Sequence, residues 1–228
     1  FGTHTGGVTA TEFARLYPDR ASVLIVDGIT CWTEAERADA LKNYFTPFAP
    51  QWDGSHLTWL WSRIREQTIF FPWYAKTLAA RMDYEVPSPD HIHNGLLEFL
   101  RAGDEYRKPY KAAFVFKGEE SIPALTCPVH LMAIAPDVLF SHFDRLPALL
   151  DNIKVERFGA SRSELLDRAV AVLRQYPGQP TALGPDVPKP TPGRTWQDYA
   201  TVDGGQLHMR RSGGSGRPVL VQHDAASD

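Results

Sequence analysis

The chain has 228 residues, of which 43% are hydrophobic and 22% are charged, a composition that allows a sizeable buried core. Its net charge of −3 gives no reason to expect a nucleic acid or an acidic membrane surface as a partner. No apolar run approaches the roughly 18 to 20 residues of a membrane helix, and no signal peptide is visible. Because Cys31 and Cys127 lack the spacing of disulfide or zinc motifs, we expect a cytoplasmic protein.

The first predicted element is a glycine-rich turn within the segment FGTHTGG. Gly2-Thr3-His4-Thr5-Gly6 has the G-x-S-x-G spacing of a nucleophile elbow, a tight strand-to-helix turn, with a histidine at the central position. Residues 8–17 predict a helix that stops before Pro18, whose ring nitrogen carries no hydrogen. Residues 22–28, SVLIVDG, predict a buried parallel strand, because an unbroken aliphatic run suits a strand covered on both faces.

Residues 30–126 predict a helical segment that is rich in aromatic side chains. Thr33 is followed three residues later by Glu36, which is the capping-box spacing at a helix start. Two further stretches, which begin at His56 and Asp90, have helical periodicity. A helical insertion between two buried strands is what a cap over a sheet edge would look like.

The next elements alternate between strands and helices. Residues 128–137 predict a buried strand that ends in Asp137, and residues 152–159 predict another strand. We expect a helix over 145–150 between them. The amphipathic pattern of residues 163–176 predicts a last helix, whose apolar face would consist of Leu165, Leu166, Ala169, Val170 and Leu173.

The C-terminal fifth of the chain has a different character. Residues 177–195 carry five prolines between positions 180 and 192, which favours an extended linker. Beyond the linker, the glycines of Asp203-Gly204-Gly205 predict a turn between two antiparallel strands. A third strand is predicted over 218–222.

These elements resemble the α/β-hydrolase superfamily over nearly the whole chain outside the linker. Residues 2–7 match the family's elbow, and residues 127–137 match the strand that delivers its catalytic acid. Residues 206–223 are similar to the family's N-terminal strands, which lead to the oxyanion loop. The resemblance implies an α/β fold: a mostly parallel sheet flanked by helices, with a helical cap, incomplete in this chain.

The order of the matching segments differs from that of the family, in which the N-terminal strands come before the elbow. We expect an internal piece of a tandem of two hydrolase-like domains, and a circular permutant with a deletion is the alternative. Residues 1–176 would be the C-terminal part of one domain, with the elbow at 1–7 and the cap at about 30–126. Residues 177–195 would be the linker, and residues 196–228 the N-terminal strands of a second or permuted domain. The remainder of a tandem chain or a second copy would then be a partner.

The resemblance implies that His4 stands at the nucleophile position and that Asp137 is the catalytic acid. The backbone N–H of Thr5 would point at a developing oxyanion. An imidazole could act as a base on water, as a polar contact or as a nucleophile, and it could equally mark a site whose chemistry has lapsed. After the last strand, residues 159–163 contain no histidine at the place of the family's base, so a standard Ser-His-Asp triad cannot be assembled from this half.

Three further expectations concern the surroundings of this site. His223 lies at the oxyanion-loop position, and Asp224 replaces the family's usual glycine there. Elbow geometry requires small residues, a demand that Gly2, Gly6 and Gly7 fit. An apolar pocket for the substrate would be lined by tryptophans of the cap, namely Trp32, Trp59 and Trp73.

Two functions follow from this reading. The first is a non-classical hydrolase that acts on an ester or related small apolar substrate without a cofactor or a metal. The alternative is a catalytically degenerate hydrolase-fold module, used for ligand binding or for association between domains. Activity that survives the change His4→Ala would contradict a catalytic role for His4.

Overall fold

A computed structural model describes residues 1–178 and 193–212. Contacts within the chain divide it into two units, Phe1–Gly178 and Gln179–Asp228. Among the described residues, no helix is both long and apolar enough to cross a bilayer.

The first unit is built on a four-stranded parallel sheet with the spatial order β1-β2-β3-β4. Every residue of β2 and β3 is buried, which agrees with their predominantly apolar sequences. The strands are β1 (Gly2–Thr3), β2 (Leu24–Asp27), β3 (Val129–Ile134) and β4 (Ile153–Phe158). The fold class predicted from the sequence, a mostly parallel sheet flanked by helices, is confirmed for this unit.

Helices cover both faces of the sheet. Helix α1 (Thr5–Leu16) follows β1 directly, and helix α7 (Arg162–Gln175) follows β4. Side chains of β2 alternate between the faces: Leu24 and Val26 belong to one core cluster, and Ile25 belongs to the other. Each such side chain contributes about 1.5–3 kcal/mol when it is fully buried. The two clusters therefore fix the sheet between its helical layers.

A helical segment lies between β2 and β3. Its first helix begins at a capping box, since the Glu36 N–H donates to Thr33 Oγ1 at 3.3 Å and the Thr33 N–H donates to Glu36 Oε2 at 2.9 Å. This start was predicted from the spacing of the two residues, and it is confirmed. The helices of the segment are α2 (Glu34–Asn43), α3 (Ser55–Gln67), α4 (Pro89–Ala102), α5 (Arg107–Val115) and α6 (Gly118–Ser121).

The predicted helix over residues 145–150 is wrong. A 3₁₀-helix covers Phe140–Arg145 instead, and Leu146 adopts an extended conformation. The physical reason is Pro147, because the residue before a proline is disfavoured in the helical region.

The predicted apolar face of α7 is only partly correct. Leu165 and Ala169 are buried against the sheet as expected, and Val172 joins them. The stripe of Leu166, Val170 and Leu173 is exposed, each by about 44 to 45%. With 3.6 residues per turn, positions 166, 170 and 173 lie beside the buried stripe and turn toward solvent.

The second unit contains an antiparallel hairpin of β5 (Thr195–Val202) and β6 (Gly205–Ser212). Val202 pairs with Gly205, so Asp203 and Gly204 form a two-residue turn, in which Gly204 has a φ of 92°. The two predicted antiparallel strands are confirmed. The strand predicted over 218–222 and most of the predicted linker lie outside the described residues.

Candidate active site

The turn between β1 and α1 holds His4 in an unusual backbone conformation, with φ 47° and ψ −111°. Two backbone hydrogen bonds, each 2.9 Å long, fix this residue: its N–H donates to the Asp27 carbonyl, and its own carbonyl accepts from the Val8 N–H. A side chain other than glycine at positive φ costs about 1–3 kcal/mol, and such strain concentrates at functional sites. The strained backbone at His4 therefore lowers the free energy of unfolding, and the surrounding fold holds the imidazole in this position.

At two of the three glycines around His4 there is no room for a side chain. A Cβ at Gly2 would lie 2.3 Å from the Gly6 carbonyl oxygen, and one at Gly7 would lie 2.6 Å from Val26 Cγ1. A Cβ at Gly6 would meet no atom within 4 Å, so the expectation that steric demand explains this glycine is wrong. Helix α1 packs closely on β1 and β2 at Gly2 and Gly7, so among these three glycines only these two positions lack room for a side chain.

His4 and Asp137 come together as the resemblance implied. Asp137 follows β3, and its Oδ2 lies 2.8 Å from Nε2 of His4, while its Oδ1 accepts from the Leu139 N–H at 2.8 Å. The Asp137 side chain is 4% exposed and that of His4 is 42% exposed. An ionised carboxylate only accepts hydrogen bonds, so Nε2 of His4 is the donor. The neutral ring then carries its lone pair on Nδ1.

The surroundings of Asp137 favour its ionised form. Burial would raise the pKa of this carboxyl, but the hydrogen bond from His4 and the charge that this ring gains when it is protonated, together with the Leu139 N–H and Arg162, hold the pKa below its ordinary value. Asp137 is therefore a carboxylate at neutral pH. In this form it can orient the imidazole and stabilise a positive charge on it.

Asp27 is a second carboxyl group at this edge of the sheet. It ends β2, is fully buried, and lies 2.5 Å from Nη2 of Arg162, the first residue of α7. Burial raises the pKa of Asp27 above its ordinary value, the Arg162 guanidinium opposes this shift, and the Asp137 carboxylate adds to it. Arg162 thus stands in the segment where the α/β-hydrolase family has its base histidine, and it pairs with Asp27.

Sequence reasoning did not single out Asp27 or Arg162 as site residues. An acid at the carboxyl end of a buried parallel strand was the signal that could have indicated Asp27, because ligands bind beyond these strand ends. No comparable signal exists for Arg162, whose partner is 135 residues away.

Gly28 is another residue of the site that the sequence did not indicate. It has a φ of 75°, and a Cβ at this position would lie 2.6 Å from Cδ2 and 2.9 Å from Nε2 of His4. The close approach explains why glycine follows Asp27. A larger residue would push the imidazole away from Asp137.

A cavity of about 660 Å³ opens beside His4. This volume suits a small organic ligand. Thr5 also borders the cavity, and because it begins α1 its N–H has no acceptor within the helix. The apolar part of the lining includes Trp32, Phe71, Phe114, Val138 and Leu139.

The other predicted site residues lie elsewhere. Trp73 is buried in the helical segment, where its indole N–H donates to the Tyr44 carbonyl at 3.1 Å, and Trp59 packs against it. Neither of these tryptophans is among the residues that line the cavity. His223 and Asp224, predicted for the oxyanion loop, lie outside the described residues.

A second imidazole, His142, is buried, and its ring meets that of Trp32, a residue of the cavity lining, edge-on with 4.6 Å between the centroids. Its Nδ1 accepts a hydrogen bond from the Cys31 N–H at 3.0 Å, which places the ring proton on Nε2. Burial, together with the positive charge of Arg145, lowers the pKa of His142 to about 4. His142 is therefore neutral at physiological pH. Within residues 1–178 and 193–212, no three His, Cys, Asp or Glu side chains are grouped as metal ligands would be.

Comparison with known proteins yields structural similarity alone. No family model matches the chain, and no curated protein matches it in sequence. Similar solved structures include a membrane phospholipase A described as a bacterial virulence factor, with 15% identity over 76% of this chain and a TM-score of 0.46. A thermophilic esterase has 12% identity over 77% and a TM-score of 0.44, and an α/β hydrolase enzyme from a Medee basin deep-sea metagenome library has 16% over 82% and a TM-score of 0.41.

The chain spans 56% of the length of the phospholipase, 65% of the esterase and 66% of the metagenome hydrolase. The mostly parallel sheet, the glycine-rich turn and helix at His4 and the acid that follows β3 are features the α/β-hydrolase resemblance implied. The fold class that the resemblance implied, a mostly parallel sheet flanked by helices, is confirmed by the structure of residues 1–178.

Proposed function

We propose that the protein is a hydrolase of small esters or related compounds, in which His4 acts as a general base on water. The observation that supports this proposal most strongly is the placement of the His4 imidazole. A strained backbone holds it beside a cavity, and the buried Asp137 carboxylate accepts a hydrogen bond from its Nε2. Strain of this kind persists only where the surrounding fold enforces it. In this proposal the β1–α1 turn is an elbow that carries a base instead of a nucleophile.

The proposed reaction uses the free Nδ1 of His4. Nδ1 takes a proton from a water molecule as the water oxygen attacks the carbonyl carbon of the ester. The Asp137 carboxylate stabilises the imidazolium that forms, and the N–H of Thr5 donates to the tetrahedral oxyanion. When the intermediate collapses, the carbon–oxygen bond to the alcohol breaks, and the proton on Nδ1 passes to the leaving alkoxide. No cofactor is needed for this sequence of steps.

The helical segment between β2 and β3 would serve as a cap in this proposal. Its support is that Trp32 and Phe114 come from this segment, whereas His4 comes from the sheet, and all three border the same cavity. A cap of this kind excludes bulk water from the cavity and leaves room for the attacking water, and the lower dielectric strengthens the electrostatic interactions inside the site.

The test compares the wild-type protein with His4→Ala on a panel of p-nitrophenyl esters. We expect hydrolysis to fall on the order of 10²- to 10⁴-fold, the usual contribution of a general base. His91→Ala is the matched control, because His91 borders the same cavity but is exposed and forms no contact with Asp137 in the described residues. Equal activity of His4→Ala and the wild type would contradict the proposal. An acetyl adduct on His4, detected by mass, would assign it a nucleophilic role in place of the base.

A second candidate, a degenerate module that binds a ligand without reaction, is favoured by one observation. Arg162 stands in the segment where a base histidine was expected, and it is engaged with Asp27. This candidate predicts that no ester on the panel is hydrolysed faster by the wild type than by His4→Ala, although the cavity still binds small molecules.

A further inference from the structure

Arg63 of helix α3 is a buried cation surrounded by aromatic rings. The residue is 1% exposed, and its Cζ lies 4.2 Å from the ring centroid of Trp73 and 5.3 Å from that of Tyr44. The rings favour the guanidinium through cation–π interactions. They do not replace the hydrogen bonds that its five N–H groups made with water.

The hydrogen bonds of Arg63 are incomplete. Nη1 donates to Oε1 of Gln67 at 2.5 Å, but Nε and Nη2 have no partner among the described residues. Burial lowers the pKa of Arg63 below its ordinary value, yet a guanidinium in a protein stays charged. A buried cation without a carboxylate partner is costly, so a nearby anion would be strongly favoured.

Gln67 connects this charge to the cavity. It borders the cavity on the same helix one turn after Arg63. Because arginine only donates, the amide oxygen of Gln67 must face Arg63, and this fixes the orientation of the amide. The amide NH₂ of Gln67 is then left for another acceptor, polarised by the cation behind it.

The wall around Gln67 offers further polar groups. Thr68, Tyr44 and Tyr110 also border the cavity, and the ring centroid of Tyr44 lies 5.3 Å from Cζ of Arg63. Glu85 also borders the cavity, but it is exposed, and water screens its charge. Glu66, the neighbour of Gln67 in the chain, is paired with Lys76 at 2.8 Å, whereas Arg63 has no carboxylate partner among the described residues.

We propose that this wall, formed by Gln67 with Arg63 behind it, binds a carboxylate group of the substrate. The substrate class is then an ester or related compound with an apolar body and one carboxylate. The substrate class rests on the proposed hydrolase function. The binding of a carboxylate at this wall does not depend on that function. His4 and Gln67 border one cavity, so a single molecule could meet both.

The test uses 3-phenylpropionate and its neutral analogue 3-phenylpropionamide as probes, with affinities measured by isothermal titration calorimetry. We expect the wild type to prefer the carboxylate by about tenfold or more, the effect of a charge-assisted hydrogen bond. Gln67→Glu places a carboxylate against Arg63, which pairs with the cation and neutralises the positive charge of the wall. The preference should be lost in this variant, and it should persist in Gln175→Glu, an exposed position with the same change in charge.

Several results would overturn the inference: equal affinity for the two probes, no binding of either, or a preference that survives Gln67→Glu. Arg63→Met is a second variant, expected to bind both probes equally; should it fail to fold, Gln67→Glu still decides. His4→Ala should keep the carboxylate preference. Loss of hydrolysis in that variant therefore tests the proposed function, and loss of the preference tests this inference.

Discussion

The change Asp137→Asn tests the arrangement of protons at the site. The Leu139 N–H donates to Oδ1 of Asp137 at 2.8 Å, and this backbone donor is fixed by the chain. An asparagine has one acceptor oxygen, which the Leu139 N–H will hold. Its NH₂ group will then face Nε2 of His4, where a donor now meets a donor. The conflict is resolved when the imidazole moves its proton to Nδ1, so that Nε2 accepts.

This exchange of tautomer removes the proposed base, because Nδ1 no longer has a lone pair. We expect ester hydrolysis to fall on the order of 10²- to 10⁴-fold. Loss of a charge-assisted hydrogen bond costs about 1.5–3 kcal/mol, and the 42% exposure of His4 places the expected loss of unfolding free energy at the lower end of that range. Asp167→Asn, at an exposed position on α7, is the control for the loss of a carboxylate.

The loss of stability should depend on pH in a defined direction. The pKa of Asp137 is lower in the folded protein than in the unfolded chain, so its stabilisation is complete above the ordinary aspartate pKa of about 3.9 and disappears as the pH falls through the folded value. The difference in unfolding free energy between wild type and Asp137→Asn should therefore shrink below about pH 4.

Two measurements check the reasoning. The nitrogen chemical shifts of ¹⁵N-labelled histidine report which ring nitrogen of His4 carries the proton, and denaturant unfolding reports stability. An Asp137→Asn variant that keeps the proton on Nε2, or that keeps full hydrolytic activity, would refute the tautomer argument.

Three further predictions concern the frame of the site. Gly28→Ala should reduce hydrolysis because the new Cβ would lie 2.6 Å from the His4 ring. Gly54→Ala is the control, since Gly54 has nearly the same φ, 74°, but a Cβ there meets no atom within 4 Å among the described residues. It should lower the free energy of unfolding by about 1–2 kcal/mol and leave hydrolysis unchanged. Equal rates in the two variants would contradict the steric reasoning. His142 should titrate by NMR with a pKa of about 4. Because the unfolded chain takes up this proton near pH 6.5, the free energy of unfolding should fall as the pH drops from about 6.5 to 4. A titration midpoint near 6.5 would show that the ring is hydrated. Thr33→Ala should lower the free energy of unfolding by about 1 kcal/mol through loss of the capping box, and an unchanged denaturation midpoint would refute this.

Much of the secondary structure could be predicted from short stretches of sequence. The capping box at Thr33, the buried strand at 24–27 and the turn at 203–204 depend on residues that are neighbours in the chain. Their free energies are local, so a window of a few residues contains the information. The wrong helix over 145–150 was a local error, since Pro147 was visible in the sequence.

The candidate site was only half predictable. His4 and Asp137 were identified from a resemblance in motif, because spacing alone cannot bring together two residues that are 133 positions apart. The pairing of Asp27 with Arg162 had no signal in the sequence. Trp32 borders the cavity, whereas Trp59 and Trp73 pack inside the helical segment, although all three have the same side chain.

The sequence by itself determined the alternation of strands and helices, the glycine-rich turn and helix at His4 and the acid after β3, but the short strand β1 before that turn was not predicted. Only the tertiary structure decided which ring nitrogen of His4 is free and which stripe of α7 is buried. It also decided that Arg63, which donates to Gln67 of the cavity wall, has no carboxylate partner in residues 1–178 and 193–212. The physical reason is that periodicity, capping and turn preferences act over a few residues. Burial, charge pairing and the direction of a hydrogen bond depend on groups that the folded chain brings together from distant positions.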